Sequence, residues 1–229
     1  MTRCWLLAVF MAVGGVLHAQ ILPSFGDSRT GTTGFQFLKI TPDARAAGLD
    51  KSIIAITDDV TALYWNPAGI TQVDTFGIHA AAGYTDYFGG VALQHVGLVK
   101  QVGGDIFVGA SLVYLNTDEM PVTTEFQPFG TGQTYKAVNM AAGLTIAGRL
   151  TDRFSFGLTG RYLYEAMADI KTDAIVFDLG FQYDVGLANT RFAVAVSNFG
   201  FNSRPTGELQ VIDLGGYEIV TEFEEIAVP

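Results

Sequence analysis

Past residue 4 the 229-residue chain contains no cysteine. Cys4 stands alone at the extreme N-terminus, which excludes an internal disulfide and any Cys-based metal site. Histidine is nearly as scarce: beyond His18 there are only His79 and His95, with no partner at metal-ligand spacing. There is no Gly-x-Ser-x-Gly element and no glycine-rich phosphate loop. The residues therefore indicate no catalytic site, no metal and no cofactor, and the chain is not expected to be an enzyme. Charge is sparse at 16%, and its balance of −10 excludes nucleic acid, which needs a basic surface. Long apolar runs are also missing beyond the first twenty residues, so no membrane helix of about 18 residues is encoded there. Yet 49% of the chain is hydrophobic. Apolar residues must then be interleaved with polar ones, which is how a membrane β-barrel is written.

Residues 1–19 read as a signal peptide. Arg3 supplies the charge, the apolar stretch 5–16 the core, and Ala19 a small residue before the cut. The stretch is too short to anchor the chain as a membrane helix. Cys4 lies inside the leader rather than after the cut, so a lipoprotein is not indicated. With the interleaved pattern, the expected destination is the outer membrane, reached through the periplasm.

From about residue 75 the interleaving is explicit. In 175–185 one face carries Ile175, Phe177, Leu179, Phe181, Tyr183 and Val185, and the other Val176, Asp178, Gly180, Gln182 and Asp184. Strand side chains alternate with period two, so one face is greasy and the other polar or tiny. In 154–164, Phe154, Phe156, Leu158, Tyr162 and Tyr164 oppose Ser155, Thr159 and Arg161. Stretches 138–149 and 191–197 alternate likewise; 76–85 and 105–116 are further strands, and 87–99 is the least regular. A soluble sandwich also alternates, but these runs reach about ten residues or more where soluble strands reach five or six. Tyr84, Tyr87, Phe88, Tyr114, Tyr162, Tyr164, Phe199 and Phe201 gather near strand ends, as aromatic girdles do.

The connections 100–104, 150–153 and 186–190 are short and turn-like, while 117–133, 165–173 and 200 onward are longer. Strict alternation of short and long links predicts an up-and-down antiparallel meander of about seven strands over 75–200, short turns periplasmic and long loops outside. Phe154, Phe156, Leu158, Phe177, Leu179, Phe181, Val194 and Val196 are expected to face lipid, and Thr159, Arg161, Asp178 and Gln182 the lumen. Residues 75–229 form a partial barrel of about seven or eight strands.

Residues 20–74 are different. Thr41 reads as an N-cap, Pro42 as the first helical residue and Gly48 as the stop of one short helix. Thr57 or Asp58 would cap a second over 59–64, which Asn66 and Pro67 must end. Ile53, Ile54 and Ile56 look strand-like. Such scraps have no core of their own and need a host surface, so 20–74 is read as a small helical hatch in the barrel lumen. Asp58 and Asp59 suit caps or partners of Arg45, Pro67 and Gly69 a stop and a turn, and Tyr64 and Trp65 plug packing or the lining of a hydrophobic ligand path.

The run Phe35-Gln36-Phe37-Leu38-Lys39-Ile40, then Pro42-Asp43-Ala44-Arg45-Ala46-Ala47-Gly48, Asp58-Asp59 and Ala62-Leu63-Tyr64-Trp65-Asn66-Pro67-Ala68-Gly69 closely resembles the PorV/PorQ family. Val196-Ser197-Asn198-Phe199-Gly200 resembles a family strand end. The resemblance implies an all-β, FadL-like outer-membrane barrel of roughly fourteen strands, hatch inside. It also implies a role in type IX secretion, with the C-terminal domains of secreted cargo and a translocon as partners besides outer-membrane lipid. The alternative is a FadL-like conduit for hydrophobic small molecules. Seven or eight strands cannot also enclose a hatch of some fifty residues, and Pro229 is a poor closing position. The barrel is therefore expected to be incomplete in this chain, with further strands encoded downstream.

Overall fold

The computed structural model describes residues 33–74, 76–186, 190–213, 216–220 and 222–229. The expected signal peptide, and the first part of the expected hatch, lie outside the described residues.

The strands are β1 Ile78–Tyr87, β2 Val91–Gly103, β3 Ile106–Thr117, β4 Met120–Pro121, β5 Thr134–Tyr135, β6 Ala137–Thr151, β7 Phe154–Met167, β8 Ile170–Asp184, β9 Arg191–Gly200, β10 Leu209–Asp213 and β11 Gly216–Val220. Seven of them form one antiparallel sheet in the order β1-β2-β3-β6-β7-β8-β9, the meander that the alternation predicts. β4 with β5 and β10 with β11 are separate hairpins. Among the described residues β1 and β9 do not pair, so the sheet is open rather than a closed barrel. No helix among the described residues is long and apolar enough to cross a membrane, which says nothing of strands.

The sheet is inside-out. Along β8, Thr172, Ala174, Val176, Asp178, Gly180 and Gln182 are buried, while Ile175, Phe177, Leu179, Phe181 and Tyr183 are exposed. Asp178 is 2% exposed and Phe177 44%. A soluble sheet buries its greasy face and wets its polar one, because apolar area removed from water is worth about 25 cal/mol per Å². Here the polar face is covered by protein, and the apolar face needs another solvent. Phe156, Leu158, Val194 and Val196 are exposed and Thr159 and Arg161 buried, the sides expected of them.

Register aligns the aromatics. Tyr84, Gln94, Tyr114, Met140, Tyr164 and Asp173 form one cross-strand row on the outer face. Phe154, Tyr183 and Phe192 form another near the opposite end. Ten residues separate Tyr164 from Phe154; at about 3.3 Å each and a tilt of about 40° that is roughly 25 Å of height, the apolar band of a membrane barrel.

One link length differs from expectation. Residues 165–173 are not a long loop: Glu165 pairs with Thr172 and Met167 with Ile170, leaving only Ala168 and Asp169 as a turn. Strand pairing needs main-chain groups, not apolar side chains, so charged Glu165, Lys171 and Asp173 extend the hairpin. The link between β1 and β2, of which no length was expected, is short, at residues 88–90.

Residues 33–74 cover the polar face. They hold a 3₁₀ turn, Gln36–Lys39, then helix α1, Ala44–Gly48, helix α2, Ala62–Trp65, and a second 3₁₀ turn, Pro67–Gln72. The cap of α1 is Asp43, whose carboxylate accepts from the Ala46 amide at 2.8 Å, not Thr41. α2 starts at Ala62, later than Asp59, because Asp59 spends its carboxylate on the Thr61 amide at 2.8 Å. Residues 51–56 are consecutive turns rather than a strand, with the Ile56 and Thr57 amides donating to the Ile53 carbonyl. Two apolar clusters fix the segment to the sheet: Phe35, Phe37 and Leu38 against Leu93, Leu115 and Leu163, and Val60, Leu63 and Ile70 against Val99 and Phe107.

Candidate functional site

The residues singled out in the sequence fall into two groups. Arg45 reaches Asp58 at 3.3 Å and Asp59 at 3.4 Å, as their charges suggest. All three side chains are about half exposed, however, so this is a surface cluster worth at most a few tenths of a kcal/mol up to about 1, not a buried one.

Tyr64, Trp65, Asn66, Pro67 and Gly69 lie against the sheet. The Tyr64 hydroxyl donates to the Leu38 carbonyl and lies 3.1 Å from that of Ile40. Its ring meets Trp65 edge-on at 4.8 Å, and the Trp65 indole donates to Asp43 at 2.8 Å. Burial, with Asp178 and Asp43 adding and Arg161 opposing, pushes the Tyr64 phenol up to about 12. Asn66, fully buried, donates to the Ile54 carbonyl at 3.1 Å and to the Phe181 carbonyl of β8 at 3.3 Å, and accepts from the Ala68 amide at 3.1 Å. One side chain thus caps the following turn and ties it to the wall.

Pro67 is the first residue of that turn, seated on two glycines that face each other across β7 and β8, Gly157 and Gly180. A Cβ on Gly157 would strike the Pro67 carbonyl carbon and lie 2.6 Å from the Ala68 nitrogen. One on Gly180 would strike the Asn66 amide oxygen and lie 2.8 Å from the Pro67 ring. Gly69 serves close approach rather than a turn: its Cβ would meet Thr57 at 2.6 Å and Ala62 at 2.9 Å.

The wall also reaches out to the segment's main chain. Arg161 donates to Leu63, Gln182 to Ala55 and Thr57, and Arg149 to Thr71. Arg161 pairs with Asp178 at 2.6 Å, both nearly fully buried, and stands 5.8 Å over the Tyr64 ring. Asp178 also accepts from the Asn198 amide at 2.7 Å, holding a β9 bulge where Asn198 has φ 59. Sequence reasoning placed Arg161, Asp178 and Gln182 on the inner face without pairing them. Thr159 lies opposite Asp178 in register, so Arg161 and Asp178 are diagonal neighbours on one face, and that offset was the available signal. Tyr64 and Arg161 line both neighbouring cavities, one of about 30 Å³ beside His95 and one of about 210 Å³ beside Trp65 and Ile54. The smaller has room for about one water. Among the described residues no three His, Cys, Asp or Glu groups come together as a metal site would need.

An inside-out antiparallel sheet, girdled by aromatics and carrying its own N-terminal segment on its polar face, defines a class: a β-rich fold consistent with an outer-membrane β-barrel. Within that class, a family model for the type IX secretion system protein PorV matches residues 24–203, and the chain belongs to that family. The family is one of secretion-system proteins, not of enzymes. A comparison with curated proteins found no match.

Proposed function

We propose that the chain forms part of an outer-membrane barrel wall with 20–74 as its hatch, and serves type IX secretion by contacting the C-terminal domains of secreted cargo or a translocon. The contact surface is the link between β3 and β6 at the Tyr164 end. The observation that carries this reading is the hairpin there. β4 and β5 are braced by the Lys136–Glu119 ion pair at 3.3 Å and by the Val122 amide donating to Gln133, while Phe126 and Phe129 are 85% and 101% exposed. Two strongly exposed phenylalanines on a braced hairpin suit a protein partner. The conduit reading draws support from the cavity of about 210 Å³ beside Trp65, but Tyr64 and Arg161 stand between it and its neighbour. The test is deletion of residues 123–130 in the native cell. Barrel levels are expected to be unchanged and surface delivery of cargo to fall; normal delivery at normal barrel levels refutes the proposal.

A further inference from the structure

We infer that the stretch from Ala55 to Thr71 is a fixed keystone, not a gate: the protein works with its lumen permanently sealed, and whatever it handles stays on its rim and outer face. This rests on the reading of 20–74 as a hatch inside a barrel. Two observations converge. First, the wall carries glycine at the points where the stretch comes closest. Gly157 and Gly180 leave room for Asn66 and Pro67, and Gly97 and Gly109 leave room for Val60 and Leu63. A segment that slid would lift off these hollows and drive its own bulk into the flanking side chains of the same strands. Second, main-chain carbonyls at Ala55, Thr57, Leu63 and Thr71 take their hydrogen bonds from wall side chains, and Asn66 gives one to the wall's own Phe181 carbonyl. Undocking would leave these buried groups without partners.

A gate is normally drawn from the least stable part of a fold, with few buried contacts and loosely held main chain. This stretch is the opposite. Its contacts with β6, β7 and β8 continue to Thr71, seven residues before β1 begins at Ile78.

The absence of cysteine beyond Cys4 makes a clean test possible. Val60 Cγ1 lies 2.8 Å from where a Cβ on Gly97 would stand, so the side chains of a V60C/G97C pair come within reach of a disulfide bond. L63C/G109C offers a second pair should the first not accumulate. In the native cell, with the pair oxidised, cargo delivery is expected to stay within about twofold of the reduced state. A large loss that a reductant restores overturns the inference. A separate readout does not depend on secretion: in native outer membranes a maleimide should label A68C, fully buried, at least a hundredfold more slowly than F129C, fully exposed. Comparable rates mean that the stretch undocks, whether or not the hairpin deletion affects delivery.

Discussion

Replacing Asp178 with asparagine isolates the buried ion pair. Asparagine keeps an oxygen for the Asn198 amide but removes the charge that faces Arg161 at 2.6 Å. The guanidinium is then left 6% exposed, with the Leu63 carbonyl at 3.5 Å and the Tyr64 ring at 5.8 Å as its remaining partners. Breaking a buried pair by removing one member costs about 3–5 kcal/mol, since the survivor keeps its desolvation penalty without its attraction. At 1.4 kcal/mol per factor of ten, that is roughly a hundred- to several-thousand-fold in the folding equilibrium. Substituting both residues, R161M with D178N, removes the stranded charge and should recover most of the loss. Urea titrations of refolding into lipid vesicles, read by the mobility shift of folded barrels, close the double-mutant cycle. A single variant within about 1 kcal/mol of the parent, or a double variant as poor as the sum of the two singles, refutes the account.

The remaining expectations follow from the faces. Leu179→Arg, at mid-strand on the outer face, should cost about 2–4 kcal/mol in vesicle refolding and Phe154→Arg, near the strand end, about 0–1, and equal costs would mean that this face does not meet a bilayer. Gln182 is unsuitable as the tolerant control expected of a lumen residue, because it is buried and bonded to Ala55 and Thr57. Gly157→Ala and Gly180→Ala should each cost about 1–3 kcal/mol through overpacking, while Gly160→Ala, whose Cβ would meet Phe177 at an ordinary 3.8 Å, should cost less than 1; the same titration ranks them. Tyr64 loses its proton only near pH 12 when folded and near 10 when unfolded, so its contribution is intact below pH 10 and declines between 10 and 12. The decline is of the order of 2–3 kcal/mol and should be absent from the alkaline unfolding curve of Tyr64→Phe.

The sheet was legible because alternation is a local code. A residue's parity along a strand decides its face, and no knowledge of distant residues is needed to see that Phe177 and Asp178 point opposite ways. The strand order follows from the same text, since most links are too short to cross the sheet and consecutive strands pair with their neighbours. The loop expected at 165–173 is instead an extension of the hairpin, because pairing uses main-chain groups and is indifferent to which side chains Glu165, Lys171 and Asp173 carry.

Helix boundaries in 33–74 were misplaced for a related reason. Asp43, Asp59 and Asn66 each compete for nearby amides, and which one wins depends on how the wall holds the segment. Composition and periodicity by themselves determined an inside-out antiparallel meander with an N-terminal segment that needs a host. Only the tertiary structure decided how that host is made. Pro67 meets Gly157 ninety residues away and Gly180 still further on, and a glycine on a polar face reads the same whether it faces water, a side chain or another backbone. Parity tells which way a residue points, but fit depends on what stands opposite, and that is settled only when the two surfaces are pressed together.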